Sequence, residues 1–260
     1  MVNDQERLKQ LKKDILAAAT KAREGHIASA FSILDLLWVL YDRVMHLNPA
    51  NPRAEERDRF VLSKGHGSLA LYAVLATKGF FPSDRLHSFA AYDGILGGHP
   101  DRTKVPGVEA STGSLGHGLP MAVGIAYGLR LKQSAQRVFC LIGDGEANEG
   151  SVWESALLAV HHHLDNLCCI VDYNHSTDRA LNLGDLLKKF AAFGWATSGV
   201  DGHDREAIYQ ALSAPACGQP RAVIAATVKG HGCTPMENNP AWHHKAPKPE
   251  ELDALFAQLT

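Results

Sequence analysis

Two apolar runs constrain this chain more than anything else in it. "RVFCLI" at 137–142 closes on Gly143-Asp144-Gly145, and "NLCCIVDY" at 166–173 closes on Asn174. Between them lies "EGSVWESALLAVHHH", with the apolar spacing of a helix. A strand, a helix and a second strand in so short a span form a βαβ unit. Its right-handed crossover sets the strands parallel and brings their carboxyl ends to one edge. Asp144 and Asn174, 30 positions apart, each lie just past such an end. They are predicted to approach one another at the rim where open α/β sheets bind ligands.

The rest of the chain extends the alternation. Leu8, Leu11, Ile15 and Leu16 share a helical face, with Gly25 placed to end that helix. Ser32 is a candidate cap for a second helix carrying Leu36, Leu37, Trp38 and Leu40, which ends before Asn48-Pro49. "DRFVLSKGHGS" reads as a short buried strand and a glycine-flanked turn, and "LALYAVLATKG" as the helix that follows. Residues 81–112 are loop-rich, and a glycine-studded helix is expected at 117–132. After Asn174 come a polar stretch, the helix "DLLKKFAAFG" and a final strand "RAVIAATV". The expected class is α/β, a mostly parallel sheet covered by helices on both faces. With 260 residues, 45% of them apolar, residues 1–260 suit one domain with an irregular tail from about 230. A net charge of −2 with both signs interspersed argues against nucleic acid or an anionic membrane as partner. No apolar run has the length of a membrane span, and the first residues do not read as a signal peptide. Cys168 and Cys169 are neighbours in a strand and so point to opposite faces. No disulfide framework is expected, and a cytoplasmic location fits best.

A carboxylate and an amide oxygen are hard ligands, suited to Mg2+ or to another divalent cation such as Ca2+. Two of them do not fill a coordination shell, so backbone carbonyls, water or phosphate oxygens must supply the rest. Gly143 and Gly145 remove side chains beside Asp144, which lets a bulky anion reach the backbone. The reading is a diphosphate-bearing cofactor held through the cation. The competing reading, two ordinary Asp and Asn turns, is outweighed by the matched spacing. Histidine supplies a second signal. Six of the 14 follow a glycine: His26, His66, His99, His117, His203 and His231. Such a turn projects an imidazole from a loop, where proton exchange near neutral pH is useful. His161, His162 and His163 read as a solvated helix end, and His203 as structural. Zinc-type ligand spacing and a hydrolase nucleophile elbow are both missing.

Assembled in order, these residues resemble the amino-terminal, diphosphate-binding domain of transketolases, and most closely the shorter subunit of split, two-chain transketolases. The resemblance rests on "EGHIASAFSILDLLWVLY", "RFVLSKGHGSLALYA", "GGHPD" with "PGVEASTGSLGHGL", the Gly-Asp-Gly to Asn element, "VDGHD" and "MENNPAWHHKAP". It implies a thiamine diphosphate-binding fold, with Asp144, Asn174 and the carbonyl of Ser176 on Mg2+. It implies that Gly145, His66 and His243 contact the diphosphate, and that Gly113, Ser114 and Leu115 lie along the cofactor's rings. His26, His99 and His243 become the catalytic imidazoles, with His99 at the terminal hydroxyl of a ketose donor. Glu149 matches an acid of a carboxylate network that crosses the subunit interface. The implied reaction moves a two-carbon ketol unit from a ketose, such as a ketose phosphate, to an aldose.

The resemblance also implies a partner: a complementary carboxyl-terminal subunit of about 300 residues, carrying the pyrimidine-binding domain and its glutamate. A chain ending at Thr260 is expected to lack that domain, and two heterodimers are expected to close into a heterotetramer. Ser114 stands where the family has Pro, His117 where it has Gln, and His244 where it has Gly. Ser176 replaces an apolar residue, and "STDRA" lacks the family's Asp-Gly. Two alternatives stay open: another thiamine diphosphate reaction, acyloin formation or 2-oxo acid decarboxylation, and a non-catalytic cofactor-binding subunit.

Overall fold

A computed structural model of the chain describes residues 3–178 and 180–260. The Asn3 side chain accepts the Gln5 N–H at 3.2 Å and so starts α1, Asp4–Ala22, whose apolar face is buried. That helix stops at Arg23, in left-handed conformation with φ 56°, rather than at Gly25. Gly25 serves a different need. Its φ is 140°, and a Cβ there would lie 3.0 Å from Leu69 Cδ1, so glycine permits a close approach of two elements.

The second helix, α2, covers Ile27–Val39 and runs on into a π-helical turn, Leu40–Val44. Ser32 lies inside it, so the expected cap is corrected. The Ser32 hydroxyl donates to Ser29 O at 3.1 Å and to Asp172 Oδ2 at 2.9 Å, a tertiary bond that no local reading reveals. Burial of the whole of α2 lets the helix begin at Ile27, with His26 as its first flanking residue.

Strands β1 (Arg59–Leu62), β2 (Val138–Gly143), β3 (Leu167–Tyr173), β4 (Ala196–Asp201) and β5 (Arg221–Ala226) form one sheet among the described residues. The order is β1-β2-β3-β5-β4, and every pair is parallel. The helices are α3 (Ser68–Thr77), α4 (Gly118–Leu131), α5 (Gly150–His161), α6 (Leu186–Ala192), α7 (Arg205–Ser213) and α8 (Leu252–Ala257).

Strand parity divides the interior in two. Phe139, Leu141, Cys168, Ile170 and Val223 belong to a core shared with α1, α2, α3 and α7. Val138, Cys140, Ile142, Cys169, Val171 and Ile224 belong to a second core with α4, α5 and α6. Adjacent Cys168 and Cys169 thus face different layers, and all five cysteines are free. The expected α/β class holds: a parallel sheet with helices on both faces.

The stretch from β4 to α7 was not foreseen. "ATSGVD" is half exposed along its length and carries one large apolar residue, Val200, so it lacks the signature of a buried strand. Among the described residues no helix is long and apolar enough to cross a membrane.

Candidate active site

Parallel pairing of β2 with β3 sets Gly143 opposite Asp172, so the residues just beyond both strands emerge together. The Ser176 N–H donates to Asp144 Oδ2 and to Asn174 Oδ1, each at 3.1 Å. One backbone proton therefore lies between the two oxygens that the sequence singled out. Asp144 Oδ1 also accepts the Gly145 N–H at 2.7 Å. Burial raises the Asp144 carboxyl pKa, opposed by the Gly145 N–H. A cation at this place would relieve that burden.

The amide of Asn174 is oriented from behind. Its Nδ2 donates to Asp172 Oδ2 at 3.0 Å, which turns Oδ1 toward Asp144. Asp172 is fully buried and also accepts from Lys64, Ser32 and Thr227. Burial, the largest single influence, works against its ionised form, yet the Lys64 ammonium and the hydrogen bonds from Lys64, Thr227 and Ser32 together outweigh it and keep the carboxyl below its usual pKa. Sequence reasoning missed Asp172, Lys64 and Thr227. An acid inside the apolar run "CCIVDY" was the available signal.

A second buried carboxylate, Glu146, was also missed. It accepts from Ser63, from the Gly116 N–H at 2.8 Å and from the Gly143 N–H at 3.2 Å, tying the "TGSLG" loop to the end of β2. Glu149, predicted to join a carboxylate network, has an exposed side chain with no hydrogen bond among the described residues.

Imidazoles gather beside this rim. The ring centroid of His26 lies 5.2 Å from that of His66, 5.6 Å from His243 and 4.4 Å from His244. His243 comes from the tail, which is registered on the start of α2 by a parallel bridge between His26 and Lys245. Lys229 Nζ donates to His243 Nδ1 at 2.8 Å, so the remaining ring proton sits on Nε2. Burial, then His244, lowers the His26 pKa to about 4; burial, then Lys64, lowers His66 to about 2. Burial and Lys229 lower His243 as well. Near neutral pH these rings are uncharged and can donate or accept a proton.

His99 sits against Gly113, where a Cβ would lie 3.1 Å from its ring, and Tyr72 Oη holds the His99 carbonyl at 3.0 Å. Ser114 and Leu115 are exposed on the adjoining loop. A cavity of about 400 Å3 opens from Asn174 and Ser176 to Lys229, Asn238 and His243. Hard oxygen donors at one end and N–H donors along its wall suit a cation paired with a phosphate-bearing ligand. Of "STDRA", Arg179 lies outside the described residues.

His203 has the structural role expected of it. It bonds to Asp35 Oδ2 at 3.2 Å, while its Nε2 accepts the Val228 N–H at 2.9 Å.

Comparison with known proteins agrees with this arrangement. Residues 4–259 match the family described as transketolase, thiamine diphosphate binding domain. An apulose-4-phosphate transketolase subunit of Actinobacillus succinogenes is 39% identical over 254 residues, covering 95% of this chain and 92% of that protein. The 6-deoxy-6-sulfo-D-fructose transketolase subunit SqwG of a Clostridium species is 37% identical, covering 96% of this chain and 93% of that one. The solved transketolase of Leishmania mexicana superimposes with a TM-score of 0.90 at 27% identity, over 99% of this chain but 42% of its own. Fold, motif order and family match coincide, and the chain belongs to the transketolase family, as a thiamine diphosphate-binding domain.

Proposed function

We propose that this chain is the diphosphate-holding subunit of a two-chain transketolase. In this reading it moves a two-carbon ketol unit from a ketose, such as a ketose phosphate, to an aldose. Convergence of the Asp144 and Asn174 oxygens on one N–H is the observation that carries the reading. Asp144, Asn174 and the Ser176 carbonyl are assigned to Mg2+ or to another divalent cation such as Ca2+. Gly145, His66 and His243 are assigned to the diphosphate, and Gly113, Ser114 and Leu115 to the cofactor's rings. When bound, thiamine diphosphate supplies the nucleophilic carbon on which the ketol unit travels.

The chain's own contribution is position and proton traffic. His26, held neutral by burial, faces the sugar and takes or returns a proton at a sugar oxygen. His99, pinned through its backbone by Tyr72, is assigned to the donor's terminal hydroxyl.

The proposed partner is a complementary subunit of about 300 residues. Relatives that are named as transketolase subunits, and that match this chain nearly end to end, support it. Exposed large apolar side chains support it too: Met121, Tyr127 and Leu131 on α4 and Leu157 and Leu158 on α5. Glu149, exposed at the start of α5, is assigned to a carboxylate network with that partner. Two such pairs closing into a heterotetramer, and a cytoplasmic location matched to free thiols, complete the proposal.

Asp144→Ala tests the assignment. It should abolish Mg2+-dependent binding of thiamine diphosphate in calorimetry of the assembled enzyme. Unchanged affinity would defeat it.

A further inference from the structure

At the amino end of β1, on the rim opposite Asp144, lies a cavity of about 700 Å3 whose walls come from residues 51–59 and 102–109. Arg53, Arg57, Arg59, Arg102 and Lys104 line it, against one acid, Glu109. For a chain of net charge −2 this is a local inversion of sign. The fold accounts for only part of it.

Arg59 is engaged: its Nε is 3.5 Å from Glu109 Oε2, and its Nη2 donates to the carbonyls of Ala54 and Glu55 at 3.2 and 3.1 Å. Arg57 shares the same carboxylate and is 7% exposed, yet its Nε finds no hydrogen-bond partner among the described residues. A buried N–H left unmatched is costly, and two guanidiniums on one carboxylate leave charge uncompensated. Arg53, Arg102 and Lys104 are exposed and form no ion pair among the described residues.

Nearby acids are committed elsewhere. Asp58 accepts from the His46 and Arg137 N–H groups and pairs with the Arg137 guanidinium at 3.1 Å, and Asp101 accepts from Thr103; their charges still reach the cavity, Asp58 at Arg59 and Asp101 at Lys104, without lining it. Glu55 and Glu56 share the loop but do not line the cavity.

We propose that this cavity is a binding site for a small phosphate-bearing anion, separate from the cofactor's own diphosphate site. Guanidinium forks match phosphate oxygens in geometry as well as charge. The lining carries no aromatic ring, which disfavours a nucleobase and favours free phosphate or an aliphatic phosphate ester. The site connects to the catalytic rim through its own loop. Arg102 and Lys104 ride the segment between His99 and Gly113, which is closed at its neck by Thr112 N–H to Pro100 O at 3.2 Å and Arg102 N–H to Ser111 Oγ at 3.0 Å. An anion gripped there fastens this segment to residues 51–59.

The test is calorimetry on the full chain already saturated with Mg2+ and thiamine diphosphate. The probes are inorganic phosphate and glycerol 2-phosphate, neither of which carries a carbonyl. Saturable binding that weakens with added NaCl is expected. It should weaken at least about tenfold in Arg53→Ala/Arg102→Ala/Lys104→Ala, since each lost charged hydrogen bond is worth that order. Tighter binding of the ester identifies a phosphate ester as the ligand class, and equal binding identifies free phosphate. No binding, or binding unchanged in the triple variant, overturns the proposal. So does binding that vanishes when the complementary subunit is added, because a partner's acid then fills the cavity. The three replaced residues are exposed, and an unchanged melting temperature verifies that the variant folds.

Discussion

At Asp172 one buried carboxylate accepts from Ser32, Lys64, Asn174 and Thr227, and so links α2, the turn after β1, the end of β3 and the residue after β5. Asp172→Asn should cost about 3–5 kcal/mol in denaturant unfolding, because it strands the Lys64 ammonium in the interior. Replacing both charged partners, Lys64→Met with Asp172→Leu, should recover only part of that stability, because Thr227 Oγ1 and Asn174 Nδ2 still lose their buried acceptor, and it should weaken Mg2+ affinity, because the Asn174 amide loses its anchor. If the double variant binds Mg2+ as tightly as the parent, Asp172 does not position Asn174. Legibility at this scale followed distance along the chain. Asp144 and Asn174 belong to one βαβ unit, so their spacing alone foretold their meeting. The partners of Asp172 come from residues 32, 64 and 227, and no local pattern connects those. His244, noted only as a departure from the family, likewise shows its position in three dimensions, stacked on His26 and 3.4 Å from Glu24 Oε1.

Helix α4 shows how an element can be read correctly and still hold back its purpose. Its bounds, Gly118–Leu131, nearly match the expected 117–132. Its outer stripe runs His117, Met121, Gly124, Tyr127 and Leu131, a helical spacing of exposed residues, with the His162 ring centroid 4.4 Å from that of Tyr127. A Cβ at Gly124 or Gly128 would meet nothing within 4 Å. In the isolated chain, Gly124→Ala and Gly128→Ala should each raise unfolding free energy by about 0.5–1 kcal/mol, the ordinary helix-propensity gain. If the complementary subunit packs on this stripe, the same changes should weaken its association in sedimentation or calorimetry. Unaltered association would move the interface elsewhere. Strands β2 and β3 were legible because both faces are buried and their sequences are continuously apolar. Strand β4 was not, because it lies at the sheet's edge with half-exposed residues.

For the whole molecule, the proposed division of labour predicts that the purified chain by itself does not turn over a ketose phosphate and an aldose. Mixed with the complementary subunit, it should transfer the ketol unit, as followed by loss of the aldose. Robust turnover by this chain alone would dispose of the two-chain proposal. The order of the sheet also has a consequence in time. The chain emerges from the ribosome as β4 and then, about 20 residues later, β5; yet among the described strands β5 is the one sheet neighbour of β4 and lies between β4 and β3, so β4 has no place in the sheet until β5 has come. Until it arrives β3 keeps a bare edge, and long-range parallel pairing of this kind is slow to form. Thr227 and Lys229 travel on the end of that latecomer. Closing of the sheet around β5 brings Thr227 to Asp172 and Lys229 to the pocket in one event, so a nascent chain cannot complete its grip on a ligand before the sheet is closed.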